Sequence, residues 1–184
     1  MHSFQYDPAA RRKRQNPEEI LAAIGLSAGM TFVDVGCNDG FFALPAARMV
    51  GKEGMVYGID IDAEAVRRLL EGAKEEGLSQ VSAQTGEAER TVSCEHCADI
   101  VFFGTVLHDF HDPSMVLKNA GRMLKARGKL VNFDWKKKPT ELGPPLPKRL
   151  SEEEAAKLIQ GAGLVVEEVK DISENYYQII ARNE

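Results

Sequence analysis

Between residues 33 and 40 the chain reads Val33-Asp34-Val35-Gly36-Cys37-Asn38-Asp39-Gly40, an apolar run that breaks into a turn. Gly36 and Gly40 have no side chains to obstruct a tight bend, and Asn38 is among the few other residues that tolerate positive φ. A turn of this composition lets backbone approach a ligand closely, which is the chemistry of nucleotide binding, although many unrelated proteins share it. About 20 residues further on, Tyr57-Gly58-Ile59-Asp60 ends a second apolar run on a carboxylate. An acid there can accept hydrogen bonds from both hydroxyls of a ribose. The competing use of an acid at this place is to cap a helix, and Asp62, just ahead of the helical run from Ala63, suits that better than Asp60.

Such residues need a scaffold, and from residue 17 onward helix and strand patterns alternate. The alternation predicts an α/β, doubly wound, mainly parallel sheet. Asn16, Pro17, Glu18 and Glu19 open a helix that stops at Gly25. Apolar runs predict strands over 30–35, 55–59, 81–85, 98–103 and 129–133, the fourth apolar enough for burial on both faces. Helices are expected over 41–50, 63–76 and 113–126. Residues 139–147 hold Gly143 and four prolines and read as an ordered loop or lid. Ser151 with Glu154 is a capping box for a helix to about residue 161. Two strands, 165–169 and 176–181, follow, and their short link suits an antiparallel pair. The expected organisation is a basic leader over 1–15 and one domain over 16–184.

At 184 residues, 43% hydrophobic and 28% charged, the composition is that of one ordinary globular domain. The net charge of −5 argues against broad nucleic-acid binding, which needs concentrated positive surface. Arg11, Arg12, Lys13 and Arg14 are expected as a solvated leader, with a phosphate or RNA contact as the alternative. Lys136 to Lys138 would lie at the outer end of a strand. No apolar run reaches the roughly 18 residues of a membrane span, and the polar, basic start does not read as a signal peptide. A cytoplasmic location is therefore expected. The odd count of three cysteines argues against a disulfide framework. Cys94 and Cys97 flank His96, but zinc takes four ligands and no second pair supplies them, so a plain loop and no metal are expected.

Taken together, these motifs resemble the class I S-adenosylmethionine-dependent methyltransferases, across nearly the whole chain. The family's first motif, acidic-x-Gly-x-Gly-x-Gly, is matched by Asp34, Gly36, Asn38 and Gly40, with its middle glycine replaced. Gly86-Glu87-Ala88-Glu89 is similar to the family's Gly-Asp-Ala-Glu, and Leu124-Lys125-Ala126-Arg127-Gly128 to its Leu-Lys-Pro-Gly-Gly turn. The resemblance implies a seven-stranded sheet with an antiparallel last strand. It also implies that the turn wraps the methionine portion of the cofactor, that Asp60, with Ile61 beside it, holds the ribose, and that Gly86, Glu87 and Ala88 meet the adenine. Gly104 and Thr105 would lie beside the methionine part. A nicotinamide-binding domain would lack this combination. Asp134-Trp135-Lys136-Lys137, Gly143-Pro144-Pro145 and Tyr176-Tyr177 resemble the small bacterial and archaeal "type 11" group.

The implied reaction is methyl transfer from S-adenosylmethionine to a small acceptor by in-line displacement. A cofactor-binding sensor or partner subunit without transferase activity is the competing reading. A homodimer is compatible with either. His108, Asp109 and His111 follow the fourth strand where the methyl group would project. His108, titratable near neutrality, is the candidate proton acceptor, and packing or helix capping is its alternative. Trp135 would wall the acceptor pocket or pack under the loop at 139–147. Phe4 and Tyr6 would fold over the cofactor or fray.

Overall fold

A computed structural model describes residues 8–183. Seven strands form one sheet: β1 (Thr31–Val35), β2 (Met55–Asp60), β3 (Val81–Thr85), β4 (Ala98–Gly104), β5 (Leu124–Trp135), β6 (Leu164–Asp171) and β7 (Tyr176–Asn183). Their order is β3-β2-β1-β4-β5-β7-β6, and β7 runs antiparallel to both of its neighbours while the pairs from β3 to β5 are parallel. The helices are α1 (Pro8–Arg14), α2 (Pro17–Ala23), α3 (Ala43–Val50), α4 (Ala63–Glu75), α5 (Pro113–Met123) and α6 (Glu152–Gly161).

Neighbouring residues of one strand feed opposite faces, as a two-residue period requires. Phe32, Val56, Phe102 and Phe133 pack with α2, α3 and Leu69 of α4 on one side. Val33, Val35, Phe103 and Leu130 pack with α5 and α6 on the other. This double burial explains why β1 and β4 read as continuous apolar runs. β1 sits between β2 and β4, so the chain order reverses there, and a crevice opens past the carboxyl ends of these strands.

The main departures lie where tertiary pairing overrides local pattern. The helix expected over 113–126 ends at Met123, because Leu124 turns extended (ψ 136°) and pairs with Ala98 across a bulge. The basic run at 11–14 is the end of α1, and the Arg11 guanidinium lies 4.0 Å from the centre of the Phe41 ring. Asn16 occupies the cap position of α2 without making a side-chain bond to it. Cys94 and Cys97 are joined as a disulfide, their Cα atoms 5.9 Å apart, where a plain loop without a disulfide was expected. Phe4 and Tyr6 lie outside the described residues. Lys136, Lys137 and Lys138 follow β5, as expected, and pair with Asp171, Glu154 and Glu174.

Candidate active site

The turn after β1 adopts the backbone its composition foretold. Gly36, Asn38 and Gly40 all have positive φ, at 78°, 47° and 95°. A Cβ at Gly36 would come within 2.6 Å of Val106, and one at Gly40 within 2.6 Å of Leu69, so space as well as φ requires glycine at both. The amides of Gly36 and Cys37 both donate to the Ile59 carbonyl, at 2.8 and 3.1 Å, which fastens the turn to β2.

Asp60 ends β2 beside that turn. Its carboxylate accepts from the Asn38 amide at 2.8 Å and from the Asp62 amide at 2.9 Å. These bonds fix the orientation of the carboxylate and leave each oxygen a further lone pair. Asp62 is the cap of α4, accepting from the amides of Glu64 and Ala65, as expected.

A cleft of about 580 Å³ opens at this point, within the range of small-ligand and cofactor sites. Gly36, Asp60, Ile61, Gly86, Glu87 and Ala88 line it, facing Val106, Asp109, Phe110 and His111. Six of the expected site residues thus meet in one cavity. Ile61 is 71% exposed, an apolar side chain presented to the opening next to a carboxylate. The Gly86 amide donates to the Asp60 carbonyl at 2.9 Å, and Asn119 donates to the carbonyls of Ala88 and Glu89, so the far wall is also braced. Glu87 pairs with Arg90 at 3.2 Å.

Asp34, Asn38, Gly40, Gly104, Thr105 and His108 lie off the lining, behind or beside it. Asp34 is the most telling of them. Burial pushes its carboxyl up to about 7, with Arg11 pulling it down and Asp60 pushing it further up. Its Oδ2 is buried without a hydrogen-bond partner. A buried carboxylate oxygen with nothing to accept from is costly. It suits a cationic donor arriving at the turn, so the residues present fit the ammonium of an amino-acid-bearing cofactor. Thr105 has φ +60° and donates its amide to the Phe133 carbonyl at 2.7 Å. A β-branched residue rarely adopts that backbone, and strain of this kind gathers at functional sites.

His108 stands one layer behind the cleft, its side chain 3% exposed. Its Nδ1 meets the Asp134 carboxylate at 2.8 and 3.0 Å, and its Nε2 lies 3.5 Å from Asp109, which does line the cleft. Lys148 pairs with Asp109 at 3.2 Å. Burial pushes the imidazole down, but the bond to Asp134 and the charges of Asp134 and Asp109 outweigh it and leave the group above its ordinary value. Asp134 was not singled out for this from sequence. Its only signal there is a carboxylate inside the apolar run at 130–135. Trp135 takes the packing role: it lies under Gly143, where a Cβ would come within 2.8 Å of the indole, and against Tyr176.

The fold and this cleft define a Rossmann-like methyltransferase domain. Residues 26–184 match the family model described as a methyltransferase domain, and the chain belongs to that family. A SAM-dependent methyltransferase from Aquifex aeolicus superposes with a TM-score of 0.85 at 29% identity, covering 96% of this chain and 98% of that one. Nocamycin O-methyltransferase of Saccharothrix syringae is 31% identical over 125 residues, 68% of this chain and 42% of that protein. A demethylmenaquinone methyltransferase of Bacillus cytotoxicus is 29% identical over 141 residues, 77% of this chain and 56% of that protein. The chain thus spans about half the length of the curated relatives it matches. The cofactor of this family is S-adenosylmethionine. Among the described residues no helix is long and apolar enough to cross a membrane.

Proposed function

We propose that the chain transfers a methyl group from S-adenosylmethionine to a small acceptor carrying a nucleophilic atom. The observation that carries this reading is the Asp60 carboxylate, set by two amides at the rim of a cleft whose opening is walled by exposed Ile61. Asp60 accepts from the ribose hydroxyls, and Ile61 and Ala88 enclose the adenine between the β2 and β3 ends. Asp34 receives the ammonium of the amino-acid end, while the turn at 36–40 and Gly104-Thr105 surround its chain. When bound, the cofactor supplies an electrophilic methyl group on a sulfonium. The residues then have to position the acceptor in line and exclude water.

His108, held by Asp134, is assigned the acceptor's proton. Asp109, on the cleft wall and next to Nε2, stands at the entry to that site. Its pairing with Lys148 ties the wall to the segment following the loop at 139–147. A small acceptor is the proposed substrate class, because among the described residues the wall facing Asp60 is the short connection that holds Val106, Asp109, Phe110 and His111.

Calorimetry with S-adenosylmethionine and S-adenosylhomocysteine tests the pocket. Wild type is expected to bind both, and Asp60→Ala to weaken both at least about tenfold, the worth of one charge-assisted hydrogen bond. Undiminished affinity in that variant would sink the assignment. Labelled-methyl transfer into cell extract tests the activity. Tight cofactor binding with no labelled product would instead favour a sensor or partner subunit.

A further inference from the structure

Resting on the cofactor reading above, we propose that Cys94 and Cys97 are a reversible thiol–disulfide site whose closed form braces the cleft wall at 86–90, so that cofactor affinity follows its redox state. The two sulfurs close a ring of four residues, Cys94-Glu95-His96-Cys97, in the connection that runs from this wall to β4. Glu95 and His96 are exposed and both cysteines are half-buried, so the ring lies at the surface, within reach of a small reagent. Accessible disulfides are the ones that exchange. His96 has φ +50°, a backbone uncommon outside glycine that persists where its surroundings enforce it. The third cysteine, Cys37, is 2% exposed, and burial pushes its thiol up, so it stays inert. The odd count divides into one exchanging pair and one packing residue.

The ring is fastened to the same helix that holds the wall. The amides of His96 and Cys97 donate to the carbonyls of Arg122 and Met123 at the end of α5, at 2.9 and 3.0 Å, and Glu95 pairs with Arg122 at 2.6 Å. About one helical turn earlier, Asn119 donates to the carbonyls of Ala88 and Glu89, which line the cleft. Residues 90–93 join the two anchors, tied by the Thr91 hydroxyl to the Glu87 carbonyl at 2.7 Å and by Gln84 to Ser93 Oγ at 2.8 Å. Val92, Cys94 and Cys97 pack against the core that contains Ala88. Opening the ring frees the backbone it constrains, and that freedom passes along the short tether to the wall. A dithiol performs the step: its thiolate attacks one sulfur, and its second thiol resolves the mixed disulfide. Two electrons and two protons reach Cys94 and Cys97, and the reagent leaves as its own disulfide. A disulfide reagent reverses the exchange.

Calorimetry with S-adenosylhomocysteine tests this on the full chain, oxidised with glutathione disulfide or reduced with dithiothreitol. Maleimide labelling of the native protein, read by mass, counts the thiols. The oxidised chain is expected to show no reactive thiol and the reduced chain two, on Cys94 and Cys97. Affinity should fall about three- to tenfold on reduction, part of the ordering that a ring of this size supplies. The double variant Cys94→Ser, Cys97→Ser should bind as the reduced chain does and ignore dithiothreitol. Hydrogen exchange at the amides of His96 and Cys97 should quicken on reduction without any ligand. A pair that gains no thiols would overturn the proposal, as would equal affinity in the two states, unchanged exchange at 96 and 97, or a serine variant as tight as the oxidised chain. The wild-type comparison needs no substitution, so misfolding of that variant leaves the outcome decided. If neither state bound S-adenosylhomocysteine, the cofactor reading itself would fall and take the proposal with it, whereas binding that ignores the redox state removes the proposal alone.

Discussion

The role proposed for Asp34 would set the site against the stability of the fold. Its pKa stands near 7 in the folded chain against 3.8 as a free carboxyl, raised mainly by burial. A group raised in this way contributes stability that is complete below pH 3.8 and is lost as pH climbs towards 7. Asp34→Asn is therefore expected to raise the melting temperature of the ligand-free protein at pH 8 by a few degrees, about 1–2 kcal/mol. The gain should shrink at pH 5, and cofactor affinity should fall. No gain at pH 8 would mean that the buried charge is better compensated than its orphaned oxygen indicates. His108 carries the complementary case. Its raised pKa makes the pair with Asp134 stabilising below about pH 6.5, with that contribution lost as pH rises through the raised value. In the proposed role of base it must be neutral, so transfer should rise with pH across the same window. Asp134→Asn is expected to lower the rate at least about tenfold and to move the acid limb of the pH–rate profile downward. A merely structural Asp134 would leave that limb where it is. Sequence disclosed the turn and Asp60 because both are local patterns. It did not disclose Asp134, because the contact joins the exit of β4 to the end of β5 and no spacing rule links them.

The loop at 139–147 raises the same issue at the scale of an element. Four prolines announce that it cannot be regular, yet they do not say what holds it. Arg149 does. It donates to the carbonyls of Pro144, Lys136, Lys138 and Leu142 and to the Thr140 hydroxyl, at 2.7–3.2 Å, while lying over Trp135. Removing those donors strands several carbonyls at once, at a cost of about 1–3 kcal/mol for each one that water cannot reach. Arg149→Ala is expected to lower the melting temperature by about 3–10 °C and open residues 139–147 to limited proteolysis. Affinity for S-adenosylhomocysteine should stay within about twofold, since none of these residues lines the cleft. A cofactor affinity that fell with the loop would show that the loop and cleft are coupled. Local signals served well where the structure is local. The Ser151–Glu154 capping box forms as read, with the Glu154 amide and the Ser151 amide each bonded to the other residue's side chain. They failed at the end of α5, where Leu124 is claimed by Ala98 of another strand.

At the scale of the molecule, the cleft lies at one edge of the sheet's stability rather than at its middle. β1, β4 and the second half of β5 are buried on both faces, whereas β3 is a half-exposed edge strand paired only with β2. β6 is the opposite edge, paired only with β7 and exposing Val165 and Val169. Both edges should open locally, well below the free energy of global unfolding. Only β3 leads into the cleft, through Gly86, Glu87 and Ala88. A ligand spanning Asp60 and Gly86 adds its binding free energy to the closed state of that edge and nothing to β6. Hydrogen exchange is thus expected to be fast at 81–90 and 164–171 in the free protein. Saturating S-adenosylhomocysteine should slow the first segment about tenfold or more and leave the second unchanged. β6 serves as the internal control, because a general tightening of the fold would slow both edges together. Equal protection of the two, or none at 81–90, would place the ligand somewhere other than between the ends of β2 and β3.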